Sequence, residues 1–355
     1  MPELPEVETI ARDLRGLVAG ARVSGARVGW AATVRSHSPE GFSAAVAGRE
    51  IEGVGRRGKQ LLVWLSPARG SEAGPRGEPA VMTIHLKMTG QLFVVPAAIR
   101  SDRHVHLALS LADGREIRFR DVRKFGRVGL YRRDRATGEP LPGEADGVLA
   151  RGAEPLADDF SAGRLASLLA GRRGRLKTLL MNQDFLAGVG NIYADESLWR
   201  ARLHPLREAH TLRPAHVRAL HSALRDVLAE AVERRGSSVD DYTAPGGDGS
   251  MQDHLRVYQR AGEPCLRCGR PIRRIVVGGR ATHYCPRCQR LPAGHRLPVT
   301  LAPGLAPVRR GPRWAELSGE GALGRTGQEE ERAHRAEARR KAASRRAAAR
   351  AGGEA

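Results

Sequence analysis

Two hydrophobic rhythms succeed one another along this 355-residue chain, and the change near residue 150 constrains its fold most. Up to about residue 131, apolar residues come in short β-type runs at Ala21–Val28, Arg49–Val54, Gln60–Leu65, Val81–Leu86, Gln91–Val95, Val105–Leu111, Glu116–Phe119 and Val128–Tyr131. Gly, Pro and Asp break these runs, which predicts an antiparallel sandwich or barrel, with Ser66–Pro79 as an exposed loop inside it. A helix precedes them: Pro5 suits a first turn, Glu6 and Glu8 complement the dipole, and Ile10, Leu14 and Leu17 recur on one face. Beyond residue 150 the spacing predicts helices at Arg164–Leu169, Leu176–Met181, Ile192–Trp199 and Pro214–Arg234, then a polar loop over Gly236–Ser250. The expected class is α+β, in several domains, since a chain of this length can bury more than one core.

The formal charge is +20, with 59 basic against 39 acidic residues. Without the last fifty residues 47 basic still face 32 acidic ones, so the body of the chain is basic as well. Such an excess points to a polyanionic partner, because each phosphate contact releases a counterion. No run approaches the ~20 apolar residues of a membrane span, and MPELPEVE lacks the charged n-region of a signal peptide. Cytoplasm is the expected compartment. Residues 332–350 carry eight basic side chains and one acid with alanine as almost the only apolar residue, a composition expected of a disordered arm or a lone solvated helix.

All four cysteines lie in one module, Cys265-x2-Cys268 and Cys285-x2-Cys288. Two close pairs separated by a hairpin-length loop predict a tetrahedral zinc site, structural because four sulfurs leave no position open for water. Arg273, Arg274, Arg280, Arg287 and Arg290 surround the pairs and favour a phosphate-facing hairpin. Between two helical stretches stands Leu186-Ala-Gly-Val-Gly-Asn-Ile-Tyr193. Gly188 and Gly190 allow a tight turn, and Asn191 is placed to cap the next helix and leave backbone N–H groups free for an anion, beside Lys177. A Gly-rich turn alone is more often a mere connection.

The terminus is the most unusual feature. Removal of Met1 would turn the Pro2 nitrogen into a secondary amine with a pKa of about 7.7–8.0, partly neutral near pH 7. Attack on a sugar C1′ would then give an iminium that serves as an electron sink. Glu3 is adjacent as a general acid or base, and Glu6 is placed to balance charge. Capping alone accounts for Pro5, Glu6 and Glu8, but not for Pro2 and Glu3.

The motifs MPELPEVE, HLKMTGQL, DVRKFGRVG, AGVGNIYADE and the cysteine module with RATHYC together resemble the formamidopyrimidine-DNA glycosylase family, in order and over about residues 1–290. The resemblance implies a catalytic β-sandwich at 1–135, a helix–two-turns–helix domain at 150–250 and a zinc finger at 251–292, while the basic tail at 300–355 has no counterpart in its motifs. Damaged duplex DNA would lie between the domains of a monomeric enzyme that is both glycosylase and abasic-site lyase, cytoplasmic and associated with the nucleoid. By position, the resemblance makes Pro2 the Schiff-base nucleophile, Glu3 the acid that assists base release, and Lys59 a catalytic lysine at the damaged nucleotide. Met88, Arg123 and Phe125 become the trio that fills the gap left by the flipped nucleotide. Arg172, Lys177, Asn191 and Tyr258 become DNA-binding residues, and Arg280 a phosphate contact tied to δ-elimination.

Two positions depart from the family pattern. Asp102 stands where a DNA-contacting histidine is usual, and Arg235-Gly-Ser-Ser-Val-Asp-Asp-Tyr242 differs from the usual loop over the flipped base. Two other readings stay open on sequence: an endonuclease VIII-like glycosylase for oxidised pyrimidines, and a non-catalytic zinc protein that senses damaged DNA. Leu4 and the gap-filling trio favour the purine enzyme, and intact Pro2, Glu3 and Lys59 argue against the sensor.

Overall fold

The computed structural model describes residues 1–68, 77–237 and 247–291. The chain opens with helix α1, Leu4–Val18, started by Pro5 and by the Glu3 N–H donating to Glu6 Oε2 at 2.8 Å. Its buried stripe is Val7, Ile10, Ala11, Leu14 and Val18. Leu17 lies off that stripe and is 40% exposed, so Val18 rather than Leu17 continues the face.

The expected sandwich is present as two four-stranded antiparallel sheets. Strands β1 (Val23–Val28), β5 (Gly90–Pro96), β6 (Val105–Leu111) and β7 (Arg115–Asp121) form one, in the order β1-β6-β7-β5. Strands β2 (Ile51–Arg57), β3 (Gln60–Leu65), β4 (Ala80–His85) and β8 (Arg127–Arg132) form the other, in the order β2-β3-β4-β8. Val54, Leu61, Val63, Met82 and Ile84 meet Leu92, Leu107, Leu109, Ile117 and Phe119 in one core, which α1 joins through Ile10 and Leu14. A short helix to which the sequence analysis assigns no element, α2 at Pro39–Val46, also packs there through Phe42 and Val46. Ser38 caps it, accepting from Gly41 N–H at 3.1 Å. Two buried residues in eight give too little periodicity to distinguish a helix from a loop.

Helices α3 (Ala162–Leu169), α4 (Leu176–Met181), α5 (Asn191–Arg200) and α6 (Pro214–Glu233) build a second core from Leu165, Leu176, Leu180, Tyr193, Leu198, Leu224 and Leu228. Leu4 belongs to this second core, although the rest of α1 lies in the first. One helix therefore ties both halves together at the chain terminus. Strands β9 (Arg273–Val277) and β10 (Arg280–Tyr284) pair as a hairpin beside the four cysteines. Among the described residues no helix is long and apolar enough to cross a membrane.

Candidate active site

The turn between α4 and α5 receives the chain terminus. Leu4 N–H donates to Gly188 O at 3.0 Å, and a Cβ at Gly188 would lie 2.6 Å from that of Leu4. A Cβ at Gly190 would run into the Glu3 carboxylate and come within 2.7 Å of Lys59 Nζ. Glycine is required at both positions because other groups approach the backbone so closely.

The Glu3 carboxylate is buried and accepts N–H bonds from Gly190 at 2.7 Å, Ile192 at 2.9 Å and Tyr193 at 3.4 Å. These are the unpaired donors of the first turn of α5, and its dipole favours the same charge. A carboxylate in a partly buried site of this kind gains up to ~2 kcal/mol. The anion expected at this helix start is thus supplied by the chain itself. Asn191 is not the cap either: Gly190 occupies that position, and Asn191 Oδ1 is buried without a partner. Lys177, expected beside the turn as a DNA-binding residue, is fully buried. Its ammonium lies 2.5 Å from Asp195 Oδ1 and 3.3 Å from Asn191 O, so it supports the turn from beneath.

Glu6 is buried one helical turn beyond Glu3. It accepts from Tyr193 Oη–H, from Ser237 N–H at 2.8 Å and from Glu3 N–H. Burial, reinforced by the Glu3 charge, raises its pKa above the usual carboxylate range. Lys59 arrives on the β2–β3 turn, where Gly58 takes a φ of +58°. Glu154 grips that turn, accepting from Gly58 N–H at 2.5 Å, Arg57 Nη1 at 2.9 Å and Arg56 Nη1 at 2.7 Å. Burial lowers the Lys59 pKa, the charges of Glu3 and Glu6 oppose that shift, and Arg280 adds to it. Arg280 is exposed at the end of the β9–β10 hairpin and is close enough for its charge to be felt. Pro2 is buried next to Glu3, and Met1 precedes it.

The four cysteine Sγ atoms lie within 4.8 Å of one another, with Cys265–Cys288 at 4.0 Å and Cys268–Cys285 at 3.4 Å. A tetrahedral zinc with Zn–S near 2.3 Å sets sulfurs about 3.8 Å apart, so the cluster fits one zinc ion held by four sulfurs. Asp195 and Glu196 tie this module to α5. Asp195 Oδ2 accepts His283 N–H at 2.9 Å, and Glu196 accepts from Arg256 N–H at 2.9 Å, Val257 N–H at 2.9 Å and Tyr258 N–H at 2.8 Å. The Tyr258 ring stands edge-on to His283, 5.3 Å away. Arg172 is exposed on the α3–α4 connection.

Met88, Arg123 and Phe125 come together on two turns of the sandwich. Arg123 Nη1 lies 3.2 Å from Met88 Sδ, and its guanidinium 4.7 Å from the Phe125 ring centroid. Met88 is 39% and Phe125 43% exposed, so neither is a core residue. Asp102, at the departure from the family pattern, pairs internally with Arg120 Nε at 2.5 Å and accepts His104 N–H at 2.6 Å. Of the other departure, Gly236 and Ser237 lie against Glu6, while residues 238–246 are outside the described residues, as is the 300–355 tail.

A sandwich and a helical half share a buried carboxylate–lysine centre, with a four-cysteine hairpin alongside that fits one zinc ion. Residues 1–128 match the formamidopyrimidine-DNA glycosylase N-terminal domain, residues 151–243 the H2TH domain of the same enzyme, and residues 262–291 a zinc finger found in FPG and IleRS. Formamidopyrimidine-DNA glycosylase of Chloroflexus aurantiacus is 46% identical over 291 residues, covering 81% of this chain and 98% of the relative. That of Roseiflexus sp. is 44% identical over 292 residues, covering 82% and 100%. The Lactococcus lactis Fpg bound to DNA with an abasic site superposes with a TM-score of 0.71 at 34% identity, covering 81% of this chain and 100% of that one. The chain belongs to the formamidopyrimidine-DNA glycosylase family.

Sequence reasoning missed Tyr193, Asp195, Glu196, Glu154 and Asp121. Four are carboxylates, which read as surface residues until the donors that bury them are known. Four of the five, all but Glu154, sit in motifs already singled out, and that was the available signal.

Proposed function

We propose that this protein excises oxidised purines, 8-oxoguanine and formamidopyrimidines, from duplex DNA and then cuts the strand by β- and δ-elimination through an iminium on Pro2. The observation that carries the reading is the buried Glu3 carboxylate, fixed by three backbone N–H groups one residue from Pro2 and beside Lys59. With Met1 removed, the Pro2 nitrogen attacks C1′ as the N-glycosidic bond breaks and the departing base takes a proton, aided by Glu3. Opening of the sugar ring yields the iminium. Loss of a C2′ proton then expels the 3′ phosphate, and a second elimination expels the 5′ phosphate, with Lys59 and Arg280 as the nearby cations. Met88, Arg123 and Phe125 fill the gap in the helix, which offsets the few kcal/mol that flipping costs. Arg172, Asn191 and Tyr258 contact the DNA. Lys177 acts through the Asn191 turn. The protein works as a monomer, in the cytoplasm on the nucleoid.

The Chloroflexus aurantiacus and Roseiflexus relatives carry the name formamidopyrimidine-DNA glycosylase, and one of the similar Lactococcus lactis structures holds DNA with N7-benzyl-Fapy-dG. Both support this reading over the pyrimidine one. Competition kinetics on defined duplexes test it: 8-oxoguanine opposite cytosine and formamidopyrimidines should be cut faster than thymine glycol. A preference for the pyrimidine lesion would overturn it.

The lysine also gives a pH test. Glu6 helps to hold the proton on Lys59, so Glu6→Gln lowers the lysine pKa further. The alkaline limb of the strand-cleavage profile should move to lower pH than in the unaltered protein. A limb that stays put removes Lys59 protonation from the reaction.

A further inference from the structure

The gap-filling side chains sit on two turns, residues 86–90 and 121–126, which meet where Gly90 of β5 pairs with Asp121 of β7. Both turns are strained just before the side chain they present: Lys87 has a φ of +57° ahead of Met88, and Lys124 a φ of +58° ahead of Phe125. A non-glycine residue in this region persists only where its surroundings over-determine it. One side chain bonds to both turns. Asp121 is completely buried, and its Oδ1 accepts Thr89 Oγ1–H at 2.5 Å from the first turn and Arg123 N–H at 3.2 Å from the second. Its Oδ2 accepts Gly126 N–H at 2.7 Å, closing the second turn just after Phe125. A Cβ at Gly126 would strike the Phe119 ring, so the chain can pass there only as glycine.

Asp121 is itself anchored at the start of β6, donating its N–H to the O of His104, just before the strand, at 2.9 Å and joining its carbonyl to His106 Nε2 at 2.8 Å. The first turn has a second hold where Lys87 N–H meets His85 Nδ1 at 3.0 Å, and burial with the charges of Lys87 and Lys59 keeps His85 neutral and able to accept. Met88 and Phe125, by contrast, are 39% and 43% exposed and belong to neither core.

We propose that Asp121 is a positioning residue for base flipping: its carboxylate locks the two turns into one rigid wedge, so that Met88, Arg123 and Phe125 enter the base stack together. Asp121 touches no DNA in this account and acts only through Thr89, Arg123 and Gly126. The inference rests on the gap-filling role of the trio given under "Proposed function".

The test separates the two. Asp121→Asn keeps the size but turns one acceptor into an N–H donor, facing either Gly126 or the Thr89–Arg123 pair. Single-turnover excision of 8-oxoguanine opposite cytosine should fall by about 30-fold, the effect of losing a buried charge-assisted hydrogen bond. Cleavage of a pre-formed abasic site in single-stranded DNA needs no wedge and should stay within about 3-fold. With 2-aminopurine opposite a tetrahydrofuran abasic analogue, the fluorescence change on binding should be lost. Thr89→Val, which removes the donor at nearly constant volume, should reproduce about a 10-fold loss in excision. Thr89→Ser should restore it, and this pair decides the matter if Asp121→Asn does not fold. Equal losses on both substrates would mean a purely structural carboxylate and overturn the inference. Normal excision in Asp121→Asn and Thr89→Val, with Met88→Ala impaired, would also overturn it and leave the gap-filling role standing. Normal excision and normal fluorescence in Met88→Ala would remove that role and the inference with it.

Discussion

Incubated with lesion-bearing duplex and borohydride, the protein should be recovered as one covalent protein–DNA species, with Met1 absent and the cross-link on Pro2. Borohydride reduces an iminium to a stable amine, so the trap reports the nucleophile directly. Without reductant the product should be a one-nucleotide gap with phosphate ends. Pro2→Gly keeps a terminal amine, now primary and less constrained, and should trap weakly and turn over slowly. The largest single loss is expected from Glu3→Gln. An amide cannot accept from Gly190, Ile192 and Tyr193 at once, because its NH2 would face one of those donors. It also lacks the carboxyl proton chemistry that assists the departing base. Removing a general acid or base of this kind costs ~10²–10⁴ in rate, and base excision should fall into that range. Cleavage of a pre-formed abasic site should survive, because there the base has already left. A cross-link on any lysine would replace Pro2 as the nucleophile, and no cross-link at all would make the protein a sensor.

Loss of zinc should be nearly as damaging, through a different route. The β9–β10 hairpin has a small core of its own, in which Ile275, Val277 and Tyr284 pack with Leu206. The cysteines pack with Val257 and Ile272, and Trp199 Nε1 lies 3.4 Å from Cys265 Sγ. Burial and the neighbouring Cys268 thiol push the Cys285 thiol up to about 12. At Cys265 burial is outweighed by hydrogen bonds from Trp199 and the Arg267 N–H, which bring the thiol down to about 6. It is therefore Cys285 above all that a cation would hold as a thiolate. Structural zinc contributes on the order of 10–16 kcal/mol to small metal-dependent folds. Without it the hairpin and Arg280 should lose their fixed position. Cys268→Ser should lower affinity for lesion-bearing DNA by at least about 100-fold, a loss near 3 kcal/mol. The β-type circular dichroism should barely change, because no cysteine contributes to the sandwich core. A metal-free protein that binds and cuts DNA normally would show that the hairpin does not need zinc.

Much of the fold was legible because it rests on local pattern. All eight predicted strand runs overlap strands of the sandwich, and the α4 helix spans Leu176–Met181 as expected. The zinc module was legible for the same reason, since the spacing of paired cysteines is itself the signal. The site was legible only in part. Glu3 stood out because it follows the proline that helix capping leaves unexplained, but nothing local reveals its partners, which lie about 190 positions away. Lys177 shows the converse. Beside a Gly-rich turn it looked like a phosphate contact, and it is instead sealed against Asp195. Whether a lysine faces a ligand or a buried carboxylate depends on the partner that the fold brings to it.

The sequence by itself determined the order of elements, the antiparallel class of the first half, the tetrahedral sulfur set and the unusual chemistry available to a terminal proline. Each follows from residues close together in the chain: a two-residue period, a Cys-x2-Cys spacing, a proline beside a glutamate. Only the tertiary structure decided that Leu4 enters the second core while Ile10 stays in the first. That placement carries Glu3 to the open N–H groups of α5 and brings Lys59 against them. The physical reason is that an unpaired helix terminus and a carboxylate each cost free energy when buried alone and little when buried together. Which two segments meet to satisfy that condition is settled by the packing of two cores around one helix, and no local pattern encodes it.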